Sequence, residues 1–151
     1  MKKLLFLFCL LSWSVLHAQK TINRPPFIAK ATETIEIAAI HLSDTATVVD
    51  VDAKFIPKNW IRIAPTTCLV ADNGERYQVR QGVGIELGQE FWMPESGEAT
   101  FSLIFPPLPA SVKSFDFVEG EGERDFNLFG ISLIGKLPKL QLPKDLGKVG
   151  K

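Results

Sequence analysis

Through most of the chain, apolar and polar residues alternate with a period of two. Val49, Val51, Ala53 and Phe55 fall on one side of an extended segment, and Asp50, Asp52 and Lys54 fall on the other. This pattern predicts a half-buried antiparallel strand. Thr34-Ile35-Glu36-Ile37 alternates in the same way, Ala38-Ala39 breaks the phase, and Ile40-His41-Leu42 resumes it. Alternation that slips by one residue predicts a β-bulge. Cys68–Ala71 and residues 76–80 flank Asp72-Asn73-Gly74-Glu75, whose central Asn-Gly predicts a hairpin turn. Glu98–Phe105 is the clearest strand, with Phe101, Leu103 and Phe105 on one face. Pro106-Pro107-Leu108-Pro109 stops it, because proline donates nothing to a ladder. Trp60-Ile61-Arg62-Ile63, Phe115-Asp116-Phe117-Val118 and residues 126–133 complete the set, while Gly82, Gly84 and Gly88 mark a looser stretch.

No window beyond the N-terminal segment carries a 3.6-residue apolar period. The expected fold is therefore all-β, an antiparallel β-sandwich of about seven to nine short strands, with a small barrel as the alternative. Eleven Phe among 151 residues, 46% of them hydrophobic, give such a fold a real core.

The first eighteen residues follow a different logic. Lys2 and Lys3 precede the apolar run from Leu4 to Leu11, and Ala18 is a small residue suited to the position before a signal-peptidase cut. The expectation is a secretory signal peptide over residues 1–18, since the run is too short to span a bilayer. The lipoprotein alternative at Cys9 fails because Phe6-Leu7-Phe8 lacks the small residues of a lipobox. Cleavage would leave Cys68 as the one cysteine and His41 as the one histidine. No other segment is long and apolar enough for a membrane span, so the product is expected to be periplasmic or extracellular.

Charge then sharpens the domain picture. The chain balances 17 Lys+Arg against 17 Asp+Glu. That neutrality is a cancellation: residues 19–135 hold ten basic and sixteen acidic side chains, and residues 136–151 hold five Lys and Asp145. A folded β domain over 19–135 is thus acidic, which argues against nucleic acid as a partner. The Lys- and Pro-containing stretch 136–151 reads as a flexible tail or linker.

The catalytic inventory is thin. Cys9 and Cys68 are too far apart for a CxxC pair, and the sequence contains no GxSxG, HExxH or P-loop. His41 sits in a strand-like run, where a structural imidazole is the commoner outcome. No catalytic residue and no cofactor is expected. The one carboxylate cluster comprises Asp116, Glu119, Glu121, Glu123 and Asp125, with glycines between several of them. Such a loop can wrap oxygens around Ca²⁺, but the spacing is not that of an EF-hand and Arg124 would repel a cation. A solvated inter-strand loop is the favoured reading. Trp60 and Trp92 are candidates for stacking on sugar rings or contacting a partner, against the commoner role of core or edge packing.

The block Asp72-Asn73-Gly74-Glu75-Arg76-Tyr77, the stretch 84–98, Phe101-Ser102-Leu103-Ile104-Phe105-Pro106-Pro107-Leu108-Pro109 and Phe115-Asp116-Phe117-Val118-Glu119 carry a resemblance. They resemble the N-terminal immunoglobulin-like β-sandwich module of exported bacterial proteins. Several of those proteins continue into a thioredoxin-like thiol–disulfide oxidoreductase domain. The resemblance covers roughly residues 24–135 and implies an accessory or interaction module of the cell envelope, with another envelope protein as partner. The redox motif of the longer relatives is absent from this sequence, so their catalysis does not carry over. Two alternatives stay open: a glycan- or Ca²⁺-binding sandwich, and a partner or shortened relative of the thioredoxin-like enzymes.

Overall fold

The structure, a computed structural model, describes residues 19–138. The expected signal peptide and residues 139–151 of the expected tail lie outside the described residues. Within them the chain is all-β, with twelve strands and no helix.

Five strands form the first sheet in the order β1-β3-β4-β10-β8: β1 (Lys20–Asn23), β3 (Ile35–Leu42), β4 (Thr47–Lys54), β10 (Glu98–Phe105) and β8 (Gln81–Val83). Five more form the second in the order β2-β12-β11-β6-β7: β2 (Ala29–Lys30), β12 (Asn127–Ser132), β11 (Ser114–Val118), β6 (Cys68–Ala71) and β7 (Arg76–Gln78). A separate two-stranded ribbon pairs β5 (Trp60–Ile61) with β9 (Phe91–Trp92). All pairings are antiparallel.

The two large sheets share one apolar core, an arrangement consistent with a β-sandwich. Val49, Val51 and Ala53 of β4 and Phe101, Leu103 and Phe105 of β10 are buried from one side, and Leu69, Phe115, Phe117, Leu128 and Ile131 from the other. Phe105 meets Phe117 edge-on across the sheets, with ring centroids 6.3 Å apart and planes at 75°. That geometry sets the positive edge of one ring on the negative face of the other.

The bulge expected in β3 is present, as a register shift between Ile37 and Ala39 against β4. Before it Ile35 and Ile37 face the core; after it Ile40 does. Strict alternation would have turned His41 inward. The extra residue instead sends its imidazole to the outer, wet face.

The hairpin around Asn73-Gly74 also forms, joining β6 to β7, with Gly74 at φ 86° where an L side chain is disfavoured. The structure has more strands than the expected seven to nine. The additional ones, among them β1, β2, β8 and β9, are two to four residues long. Segments that short cannot display a period, and all four lie at the edges of their sheets.

Candidate functional site

The β5–β9 ribbon has two chemically different faces. Trp60 stands opposite Trp92, and Ile61 opposite Phe91. Opposed residues in an antiparallel pair project to the same side. Ile61 is buried and Phe91 packs on Phe101 with ring centroids 6.3 Å apart, so that side is anchored in the core. The other side presents the two indoles to solvent, Trp60 at 44% exposure and Trp92 at 60%. The turn leading into β5 places Lys58 at φ 63° and leaves Ile56 exposed as well. Lys58 donates its backbone N–H to Met93 and Met93 donates to Asn59, which ties the turn to β9.

Trp60 also walls a groove of about 610 Å³ that runs to the acidic loop. Phe55, Phe126 and Thr32 line it, together with Arg62, Glu119, Glu123, Arg124 and Asp125. The sequence candidates Trp60, Glu119, Glu123 and Asp125 are therefore brought together. Trp92 lies outside the groove on the same ribbon. Asp116 sits on β11, where it accepts a hydrogen bond from the Gly130 N–H at 2.7 Å, and Glu121 is exposed on the loop and does not line the groove.

The loop carboxylates have unequal roles. Glu119 Oε1 accepts from the Ala64 N–H at 2.9 Å and Oε2 from the Phe126 N–H at 2.7 Å. It is a latch between the segment after β5 and the entry to β12. Burial pushes its carboxyl above the usual range, outweighing the two backbone donors; the neighbouring Asp125 charge adds to the rise and Arg62 opposes it. Asp125 closes the loop on itself by accepting from the Gly122 N–H at 2.7 Å. Among the described residues no three His, Cys, Asp or Glu side chains converge in a metal-holding geometry. By contrast, Arg62, Glu123 and Arg124 form no ion pair with any described residue.

A second constellation spans four strands of the first sheet. Thr21 Oγ1 lies 3.0 Å from His41 Nδ1, His41 Nε2 lies 2.6 Å from Asp50 Oδ2, and the Ser102 hydroxyl donates to Asp50 Oδ1 at 2.6 Å. Asp50 and Asp52 share the polar face of β4 that the alternation predicts; Asp52 pairs with Arg24 at 2.6 Å, and Asp50 is the hub of this chain. The order hydroxyl, imidazole, carboxylate is that of a hydrolytic triad. The chemistry is not supported by its surroundings. Strand N–H groups point along the sheet toward neighbouring strands, so the face offers no pair of donors to an oxyanion. The network ties four strands together. Cys68, the remaining nucleophile, is buried, with the Arg76 guanidinium 3.3 Å from its sulfur.

No protein-family model matches the chain, and neither does any curated protein or solved structure. Among the described residues no helix is long and apolar enough to cross a membrane.

Proposed function

We propose that this chain is an exported, non-enzymatic binding module of the bacterial cell envelope, and that its contact surface is the end of the fold carrying Trp60 and Trp92. The observation that carries this reading is the outward pair of indoles on a ribbon whose other face is fixed in the core. A rigid aromatic pair exposes large apolar area at small entropic cost, which is what binding surfaces use. The N-terminal signal-like segment supports export.

The immunoglobulin-like reading has support of its own. The order β3-β4-β10-β8 facing β12-β11-β6-β7 corresponds to the A-B-E-D and G-F-C-C′ sheets of immunoglobulin-type sandwiches. In that correspondence β1 and β2 are additions at two sheet edges, and the Trp ribbon is an insertion at one end.

The test is retention. Immobilised residues 19–151 are challenged with envelope extract beside a Trp60→Ala/Trp92→Ala double variant of the same fold by circular dichroism. Retention of envelope material by the wild type and its loss in the variant support the reading. Equal retention by both, or none by the wild type, removes it.

A further inference from the structure

We infer that the groove beside Trp60 is a carbohydrate subsite that takes a neutral oligosaccharide. This rests on the reading of that end as the binding surface and adds the class of ligand.

A pyranose ring has an apolar face of C–H groups and a rim of hydroxyls that each donate and accept. The groove supplies the complement of both. Trp60 is an exposed flat wall, with Phe55 and Phe126 half-buried beside it. Around these stand guanidinium donors from Arg62 and Arg124 and carboxylate acceptors from Glu123 and Asp125. Arg62, Arg124 and Glu123 are not engaged in ion pairs with described residues, and Asp125 commits only Oδ2, to the Gly122 N–H. Their hydrogen-bonding capacity is open to a ligand.

The balance of charge selects among ligands. Two guanidinium groups face three carboxylates, one of which, Glu119, also holds the backbone N–H groups of Ala64 and Phe126. The small acidic excess repels a polyanion and is too weak to draw in a polycation. A volume of about 610 Å³ lies in the range of small-ligand sites and admits a disaccharide. Trp92 offers a second platform beyond the groove on the same ribbon face, so a longer chain gains a further contact there.

The larger groove on the outer face of the first sheet, about 720 Å³, lacks this character. Its Glu33 and Glu36 pair with Lys30, its Asp52 with Arg24 and its Glu98 with Lys54. Those groups already satisfy one another.

The experiment uses the chain from Gln19 to Lys151, in which Trp60 and Trp92 are the only tryptophans, so intrinsic fluorescence reports on this surface directly. It is titrated with maltohexaose, cellohexaose, mannohexaose, xylohexaose and chitohexaose, and with an oligogalacturonate as the anionic arm. At least one neutral hexasaccharide is expected to give a saturable change. Trp60→Ala should weaken that binding by at least about tenfold, and Glu123→Gln or Arg62→Gln by about three- to tenfold. Trp92→Ala should weaken the hexasaccharide and leave the matching disaccharide unchanged. Calorimetry reads the tryptophan variants, and unchanged circular dichroism certifies their fold. Saturation by the anionic arm alone, affinity unaltered by Trp60→Ala, or no saturation with any probe overturns the assignment. If no sugar binds while envelope retention still depends on the tryptophans, the ligand class falls and the binding surface stands.

Discussion

Ser102 on β10 and Asp50 on β4 stand directly opposite each other, and the serine hydroxyl donates to the carboxylate at 2.6 Å. His41 holds the other oxygen of Asp50 at the same distance, although it reaches the site from β3 by a diagonal. Partial burial works to raise the Asp50 carboxyl, but the hydrogen bonds from Ser102 and His41 and the imidazole's charge outweigh it and hold it below its ordinary 3.8. A carboxyl lowered by folding contributes stability above its unfolded value and loses it as pH falls through the folded one. Asp50→Asn should therefore cost stability at pH 7 and lose that disadvantage below about pH 4. With the side chains of His41 and Asp50 43% and 36% exposed, the effect should stay under about 1 kcal/mol. Urea midpoints of wild type and variant at pH 7 and pH 3 check it; an equal gap at both pH values refutes the role of the ionised carboxylate.

Glu119 should show the opposite sign. Its carboxyl is raised from 4.5, so its contribution is fully present below that value and is lost as pH rises through the folded one. Glu119→Gln keeps a neutral side chain at every pH, so the wild type should be most stable relative to the variant near pH 4 and lose ground to it toward pH 8. Denaturant titrations of both across that range measure it, and a wild type that gains on the variant as pH rises contradicts the assignment.

The ribbon predicts a contrast between its two faces. Ile61→Ala removes a buried side chain and should cost about 2–5 kcal/mol. Trp92→Ala removes an exposed one and should change stability by no more than about 0.5 kcal/mol. Chemical denaturation of the two variants decides whether the indoles face outward in solution.

Two glycines make a second contrast. Gly97 has φ 70°, and a Cβ there would sit 2.6 Å from the carbonyl oxygen of Phe55. Gly74 has φ 86° with open space around the same position. Gly74→Ala should cost the backbone strain alone, about 1–2 kcal/mol, whereas Gly97→Ala should add a steric clash and exceed it by at least about 1 kcal/mol. Thermal melts of the two variants order them; equal losses would place the Phe55 carbonyl elsewhere.

The long strands were legible because burial on one face imposes a period that eight residues suffice to display. Glu98–Phe105 has the bounds expected of it, and the slip at Ala38-Ala39 announced the bulge in β3. Gln81–Val83 hides its pattern behind a glycine, and Phe91–Trp92, with two residues, is too short to show one. For the site, sequence singled out Trp60 and the acidic loop but could not bring them together. Their meeting depends on β5 and the β11–β12 connection sharing one end of the fold, a relation between positions roughly sixty residues apart. Asp50 was invisible as a hub for the same reason: Thr21, His41 and Ser102 lie on three other strands. Arg62 carries no signal and Arg124 signals only repulsion of a cation, since an arginine without a partner looks in sequence like any solvated charge.

The bordering strands of both large sheets, β1, β8, β2 and β7, have only two to four residues each. A neighbouring molecule that approached side-on would find too few free backbone groups to extend either ladder, and Lys20, Lys30 and Arg76 add charge along those borders. At high local concentration, as in a crowded compartment, the protein should resist polymerising through its flanks.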